Sequence, residues 1–212
     1  MLHTQDRSPR SRLPQDKRRE QLMDATIDVV AEHGLAGVTL GKVAERADLT
    51  AAMVNFHFET KQDLLDATLA RLTAEMTENL DRAAERGDGS AIATLVELAD
   101  SAFDPVVFSP EKLATLEAFW GAGVSNSHYM ATCAATTEDY EKRLCALFDR
   151  LADATGTAID TRVASLGLIG LIDVMWWRIM AERMTVGDAK RDCRKYIANL
   201  FPAYAAVLPN AR

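Results

Sequence analysis

The 212-residue sequence predicts an all-α protein, with a short N-terminal head of three helices and a longer C-terminal helical bundle. Apolar residues recur at helical spacing along the chain, and no segment shows the sustained two-residue alternation of a half-buried strand. Glycine, proline and capping residues separate these stretches at lengths typical of helices. Apolar residues make up 48% of the chain and charged residues 26%, which excludes collagen-like and wholly disordered proteins.

The N-terminal end is predicted to be a disordered basic arm over residues 1–15, followed by a first helix to about His33. Gly34 is expected to stop this helix. The apolar stripe of the helix consists of Leu22, Ala25, Thr26, Val29, Val30 and His33.

Three threonines mark the starts of the next helices. Thr39 is expected to cap a short second helix, and Thr50 a third helix over about residues 51–57. Thr60 precedes a long fourth helix that reaches about residue 86. Asp63 stands three residues after Thr60, which is the spacing of a capping box.

The rest of the chain is predicted as a bundle in which the last two helices form the dimer surface, with Ala164, Gly167 and Gly170 allowing close approach. The predicted pieces cover about residues 90–103, 106–123, 127–154, 158–184 and 188–206. The predicted domains are the arm at 1–15, a head at 16–60 and a bundle at 61–212.

The charge is distributed unevenly along the chain, whose net charge is -7. Residues 1–61 hold nine basic and nine acidic side chains, and six of the basic ones stand within residues 7–19. A neutral head with a basic leading arm on an acidic body suits a local contact with DNA. The alternative interpretation of residues 7–19 is a solvated tail.

The sequence lacks the signals of several protein classes. The three cysteines contain no CxxC pair and the four histidines have no metal-ligand spacing, so reduced thiols and no metal are expected. Gly-rich phosphate loops, GxSxG and HExxH are missing, so neither an enzyme nor a cofactor is expected. The apolar stretch near residues 164–177 is shorter than a membrane span, and no secretory signal is seen. We therefore expect a cytoplasmic protein without a membrane partner.

The second and third helices and the tight turn between them form a helix-turn-helix pattern. Ala51 and Ala52 are small enough for the backbone to approach base edges, and Asn55 can pair with adenine. His57 and Lys61 can contact phosphates. An ordinary helical hairpin in a protein-interaction module would give the same periodicity.

Two stretches of the head narrow this interpretation: Gly34-Leu-Ala-Gly-Val-Thr39-Leu-Gly-Lys-Val-Ala-Glu-Arg-Ala-Asp-Leu-Thr50 and Asn55-Phe-His-Phe-Glu-Thr-Lys61-Gln-Asp-Leu-Leu65. Their residues and spacing resemble the TetR family of bacterial repressors over about residues 17–66. The resemblance implies a homodimer that binds a near-palindromic double-stranded DNA operator and is released by a small-molecule inducer.

The same resemblance implies the DNA-facing residues. The match gives Thr39, Lys42, Thr50, Asn55, Phe56, His57 and Lys61, to which we add Ala51 and Ala52 on the recognition helix and Arg18 and Arg19 as arm contacts. Two positions depart from the family pattern. Asp48 stands where the turn usually has glycine, and Asn55 replaces the usual tyrosine, which changes the expected base readout.

Three stretches of the body give a narrower resemblance: Leu116-Glu-Ala-Phe-Trp120-Gly, Gly167-Leu-Ile-Gly-Leu-Ile-Asp173-Val-Met-Trp-Trp-Arg178 and Tyr196-Ile-Ala-Asn-Leu-Phe-Pro202. They look like the BetI group of choline-responsive repressors. This resemblance implies control of choline-to-betaine genes, with choline or a relative as the inducer.

The body also carries residue types that bind a quaternary amine, which is held by aromatic faces and a nearby carboxylate. Two acid–tryptophan pairs share a helix face, Glu117 with Trp120 and Asp173 with Trp176. The predicted ligand residues are Phe103, Glu117, Trp120, Tyr140, Asp173, Trp176 and Trp177. Plain core packing, a pair between Asp173 and Arg178, and a neutral hydrophobic ligand are the alternatives.

Overall fold

The structure is a computed structural model that describes residues 15–208. The chain divides into two compact units, one up to Thr68 and one from Leu69 onward. All regular structure within residues 15–208 is helical, which confirms the predicted all-α class. The predicted basic arm lies outside the described residues, except for Gln15.

The smaller unit begins with α1 (Gln15–Gly37), α2 (Leu40–Arg46) and α3 (Ala51–His57). Gly34 interrupts α1 with a φ of 66°, a left-handed conformation that costs glycine little and explains the predicted stop. The side chains of Thr39 and Thr50 accept hydrogen bonds from the backbone N–H of Lys42 and Met53, which confirms both predicted N-caps.

The turn between α2 and α3 depends on Asp48, whose φ is 53°. Aspartate enters this left-handed region more readily than most residues other than glycine. The turn closes with a backbone hydrogen bond of 2.8 Å from the N–H of Leu49 to the carbonyl of Ala44. The helix-turn-helix geometry therefore persists without the usual glycine, as the sequence indicated.

The long helix α4 (Lys61–Arg86) begins with the predicted capping box. The N–H of Thr60 donates to Asp63 at 3.0 Å, and the N–H of Asp63 donates to the Thr60 hydroxyl at 3.0 Å. The division between the units falls after Thr68, not before Lys61 as predicted. Because Leu64 is among several buried side chains in the first two turns of α4, these turns count with the smaller unit.

The larger unit continues with α5 (Ala91–Ser101), α6 (Pro110–Gly123), α7 (Ser127–Thr155), α8 (Thr161–Met180), α9 (Val186–Leu200) and a short 3-10 turn at Pro202–Tyr204. The largest fully buried side chains of its core cluster are Phe103, Phe148, Phe201, Leu95, Leu98, Leu144, Leu151 and Leu168. They form the core around which the helices pack.

Three predicted helix bounds need correction. The piece expected from residue 106 starts at Pro110, because Ser109 caps it and proline suits the first helical position. The piece expected from residue 158 starts after Asp160, whose side chain accepts from the N–H of Val163. The last helix ends at Leu200, and the chain continues as a 3-10 turn.

The small residues of α8 serve mainly the inside of the chain. Ala164 is buried, and its carbonyl accepts the Tyr196 hydroxyl at 2.9 Å. A Cβ at Gly167 would overlap the same hydroxyl, so Gly167 lets α8 approach α9. Gly170 alone among the three has open space around it. Gly167 thus allows the close helix approach that was predicted, here within one chain, and contact of these residues with a second copy stays a prediction.

The outward face of α8 is apolar. Val163, Leu166, Val174 and Trp177 are exposed there, although Leu168 and Ile172 on the other side are buried. The helix is 20 residues long with a mean hydropathy of 1.5, so by length and composition alone it would also pass for a membrane span. The helix is longer than the apolar stretch of residues 164–177, so its length alone does not exclude a membrane span. Burial of one face in a helical core gives the other explanation for its composition.

We expect two Gly-to-Ala substitutions to act in opposite directions. Gly121→Ala on exposed α6 has open space and should stabilise the protein by about 0.5–1 kcal/mol, because alanine has the higher helix propensity. Gly167→Ala should reduce the free energy of unfolding by about 1 kcal/mol, because overpacking against Tyr196 outweighs that gain. Urea unfolding at one fixed protein concentration measures both. Stabilisation by both variants would contradict the tight contact between α8 and α9.

Candidate functional site

The recognition helix α3 is held on one side and exposed on the other. Val54 and the capping residue Phe58 are buried, which anchors that side of the helix in the head. Phe56 is 75% exposed. The predicted DNA-facing residues that the structure leaves exposed on this helix are Ala51, Ala52, Asn55 and Phe56.

Met53 belongs to the same exposed surface, and the sequence reasoning missed it. Its side chain is 38% exposed, one helical turn before Phe56. The sequence contained a signal for this exposure. Val54 and Phe58 are apolar and four residues apart, so they share the buried side of the helix, and residues 53 and 56 then face outward. A thioether beside a phenyl ring offers an apolar contact for a thymine methyl group.

Two predicted phosphate-binding lysines flank the recognition helix. The Nζ of exposed Lys42 donates to the carbonyl of Gly37 at 3.1 Å, and that of Lys61 to the carbonyl of Ala36 at 3.4 Å. A charge-assisted bond to phosphate is stronger than such a bond to a neutral carbonyl. Both ammonium groups can therefore exchange these partners for a DNA backbone.

Arg18 and Arg19 lie within α1 and not in an extended arm. A guanidinium nitrogen of Arg19 donates to the carbonyl of His57 at 2.6 Å, and the group lies 4.2 Å from the centre of the Phe58 ring. Arg18 binds Gln21. Arg19 therefore positions the end of α3, and a direct DNA contact by either arginine stays a prediction.

The ring of His57 is uncharged at neutral pH. Burial lowers its pKa below the usual range, and the nearby charges of Arg19 and Arg18 lower this pKa further. A neutral imidazole still has one N–H to donate. In the absence of DNA, His57 therefore offers a hydrogen-bond donor and no positive charge.

The larger unit contains a cavity of about 470 Å³, within the usual range for small-molecule sites. The structure brings six of the seven predicted ligand residues to it. These are Glu117 and Trp120 from α6, Tyr140 from α7, and Asp173, Trp176 and Trp177 from α8.

Phe103 is the predicted ligand residue that the structure does not place on the cavity wall. It is 2% exposed and packs in the core, with its ring 6.4 Å from that of Phe108. Phe108 lines the cavity instead, stacked on Trp176 with 6.3 Å between ring centres. The sequence did not single out Phe108, which lies in the irregular segment before α6 and not in the helix expected from residue 106.

The charge on the cavity wall is negative. Among the described residues that line it, Glu117 and Asp173 are acidic and none is basic. Within the described chain neither carboxylate has an ion-pair partner, so the proposed pair of Asp173 with Arg178 is not formed. Asp173 is an exposed residue, but partial burial of its carboxyl group raises the pKa, and the nearby charge of Glu117 raises it further.

Three cavity side chains are fixed to the end of α5. The indole N–H of Trp176 donates to the carbonyl of Ala102 at 2.9 Å, and the amide of Asn79 donates to that of Ser101 at 2.8 Å. The Tyr140 hydroxyl donates to the carbonyl of Leu98 at 3.3 Å. Burial raises the pKa of Tyr140 well above its usual range, so it stays a neutral donor.

The described part of the chain holds no group of three side chains suited to a metal ion. Its three cysteines are unpaired, in agreement with the thiols expected from the sequence. Cys133 is buried and lines the ligand cavity, where burial raises the pKa of its thiol. It is therefore a neutral, apolar part of the wall.

Both units match models of known protein families. Residues 22–68 match the family model of bacterial regulatory proteins, tetR family, and residues 91–202 match that of the BetI-type transcriptional repressor, C-terminal. The chain belongs to the TetR family, with a BetI-type C-terminal domain. The helix-turn-helix head is thus the DNA-binding part of a transcriptional regulator, and the resemblance stated from the sequence is confirmed.

Curated relatives of this BetI-type regulator agree with that assignment. It is 30% identical to the HTH-type transcriptional regulator BetI of Burkholderia mallei (strain NCTC 10229), over 86% of this chain and 93% of that protein. It is 31% identical to the BetI of Paraburkholderia phytofirmans, over 85% of this chain and 91% of that one. Both relatives are named regulators, which confirms that the chain is not an enzyme.

Solved structures share the fold of this BetI-type regulator. A transcriptional regulator from Pseudomonas aeruginosa PAO1 has a TM-score of 0.77 and 22% identity, covering 93% of this chain and 96% of that one. The regulator FadR from Bacillus subtilis, solved with stearoyl-CoA, has a TM-score of 0.66 and 17% identity, covering 91% and 99%. At such identities the similarity concerns the fold, and the ligand must be argued from the cavity.

We expect Asp173→Asn to stabilise the ligand-free protein. Because the pKa of Asp173 is raised on folding, the ionised carboxylate favours the unfolded chain, and this cost grows as pH rises from about 4 through the raised pKa. The variant should therefore have a higher Tm at neutral pH, with a gain that shrinks below about pH 4. Asp149→Asn, at an exposed position on α7, is the control and should change the Tm little. A lower Tm for Asp173→Asn at neutral pH would contradict this account.

Proposed function

We propose that this BetI-type regulator binds a near-palindromic operator as a homodimer and releases it when choline or a related quaternary amine occupies the cavity. The observation that carries the proposal is the composition of the cavity wall. Its rings and its two acidic groups, Glu117 and Asp173, face a space with no basic residue on the described wall. The proposed site of action is the cytoplasm, where the operator lies.

The chemistry of the wall favours a cation. A quaternary ammonium has no hydrogen to donate, so it is bound by ring faces and by unpaired negative charge. Trp120 and Trp176 supply rings, each one helical turn after an acidic residue that also lines the cavity. An anionic ligand would face two carboxylates, which repel it.

A neutral hydrophobic ligand is the second candidate. Leu113, Leu116, Ile169 and Ile172 also line the cavity, and choline is small for a space of about 470 Å³. Such a ligand would leave the two carboxylates uncompensated, and their mutual repulsion would persist. A cation relieves that repulsion, which is why we prefer it.

The proposed dimer uses the outward face of α8. Val163, Leu166, Val174 and Trp177 form an exposed apolar row there, with the open Gly170 between them. Pairing this row with its copy would remove apolar surface from water and bring two heads together. Two heads related by a two-fold axis match a near-palindromic operator.

One helix is shared by both sites. Helix α4 begins at Lys61 beside the recognition helix, and its residues Thr73, Met76 and Asn79 line the cavity. A ligand that shifts α4 would change the spacing of the two heads and weaken their fit to successive major grooves. Coupling of this kind is reciprocal, so DNA should weaken ligand binding by the same factor.

Calorimetry with choline tests the proposed ligand. We expect binding to the free protein, and a loss of at least about tenfold in Trp120→Ala, Trp176→Ala and Glu117→Gln, because each removes part of the cation site. In a gel shift, choline should weaken operator binding. The factor should equal the one by which operator DNA weakens choline binding. Asp149→Asn, outside the cavity, should behave as the wild type.

An uncharged isostere separates the two candidate ligands. In this compound a tert-butyl group replaces the trimethylammonium group of choline, so the shape is kept and the charge is lost. We expect choline to bind more tightly. Equal binding of the isostere would favour the neutral hydrophobic candidate, and choline binding without an effect on operator affinity would exclude choline as the inducer.

Substitutions in the head should separate phosphate contacts from base contacts. Lys61→Ala should weaken binding to all DNA sequences alike and lower the salt slope by roughly one unit per head. Asn55→Ala should cost about 1–3 kcal/mol at one base position and relax discrimination there. Gel shifts over a salt series and a set of operator variants measure both. Lys142→Ala, at an exposed position of α7, is the control.

The opposite pattern would reverse these roles. If Lys61→Ala changed the preferred base and Asn55→Ala did not, Lys61 would be the base-reading residue. A protein that is monomeric by light scattering at micromolar concentration, and still shifts the operator specifically, would contradict the dimer.

A further inference from the structure

Asn79 on α4 is a buried polar side chain with an unused acceptor. The residue is 2% exposed and lines the ligand cavity. Its amide nitrogen donates to the carbonyl of Ser101 at 2.8 Å, but its Oδ1 has no hydrogen-bond partner in the described part of the chain. Buried polar atoms are nearly always paired, so an orphan at a cavity points to a missing donor.

The orientation of the amide is fixed by its surroundings. Exchanging the oxygen and nitrogen of Asn79 would place Oδ1 against the carbonyl oxygen of Ser101, and two acceptors cannot bond. The free atom is therefore the oxygen. Whatever satisfies it must bring an N–H or O–H group.

Nearby polar groups on the wall do not supply that donor. The Thr73 hydroxyl binds the carbonyls of Leu69 and Ala70 in its own helix. The Tyr140 hydroxyl binds Leu98, and the Trp176 indole N–H binds Ala102. These donors are committed to the backbone, which leaves the acceptor of Asn79 for a ligand.

The unused acceptor lies beside the proposed cation site. Asn79 and Trp176 bind the consecutive carbonyls of Ser101 and Ala102, and both side chains line the same cavity at the end of α5. Asp173 is one helical turn before Trp176 on α8. A short ligand can therefore place its charge at the ring and carboxylate and its other end at Asn79.

We infer that Asn79 Oδ1 accepts a hydrogen bond from the ligand and selects quaternary amines that carry a hydroxyl or another donor a short chain away from the charge. This inference rests on the proposed function, since it describes the other end of the same ligand. A hydrogen bond to Asn79 would favour an amino alcohol over its ether and its alkyl analogue, which lack the donor. It would also disfavour the corresponding carboxylic acid, because its anion would face only acceptors at Asn79, Glu117 and Asp173.

A series of three ligands tests the inference on the wild-type protein by calorimetry. Choline carries the donor, its methyl ether keeps the oxygen without the donor, and ethyltrimethylammonium lacks the oxygen. We expect choline to bind about tenfold or more tightly than either analogue, because only choline satisfies the buried acceptor. This comparison needs no variant and so does not depend on folding.

Two variants then assign the preference to its residue. In Asn79→Leu the ratio of the choline and ethyltrimethylammonium affinities should fall to near one. Thr77→Val is the matched control on the same helix but outside the cavity wall, and it should keep the wild-type ratio because its hydroxyl is already used within α4.

The outcomes separate this inference from the proposed function. If all three ligands bind the wild type equally, the Asn79 inference fails while the cationic cavity stands. If the preference for choline persists in Asn79→Leu, another residue holds the hydroxyl and the inference is again wrong. If none of the three binds, the quaternary-amine ligand itself is excluded.

Discussion

The last backbone carbonyl oxygens of α5 can accept hydrogen bonds from groups outside the helix. Three neighbouring helices each send a side-chain donor to these carbonyls, and the donors are Asn79, Tyr140 and Trp176. Each of these side chains also lines the cavity. The cavity therefore keeps its shape for the same reason that the helix end is stable, and a ligand finds a wall that is already organised.

The same wall concentrates negative charge. Two carboxylates share it without an ion-pair partner in the described chain, and the raised pKa of Asp173 records the unfavourable charge. The proposed cationic ligand would gain part of its binding free energy by relieving this charge. Such a trade of stability for function is common at binding sites.

The head and the start of α4 could be predicted closely because their signals are local. Thr39, Thr50 and Thr60 cap their helices through bonds to residues three positions away, and the turn at Asp48 depends on the left-handed backbone of that one residue. The acid–tryptophan pairs were found in the same way, since residues three apart on a helix share a face. Periodicity and capping thus determined the helix order and much of the cavity wall.

The tertiary structure decided what each inward face meets, because periodicity gives the side of a helix and not its partner. Phe108 lines the cavity wall where Phe103 was predicted, and Gly167 lies against Tyr196 of α9 in the same chain. The free acceptor of Asn79 was likewise decided by tertiary structure. Its value depends on Ser101, 22 residues further along the chain, taking the amide nitrogen and leaving the oxygen. By itself the sequence determined the order of the helices and the helix-turn-helix head. Long-range packing determined which atoms remain free to bind.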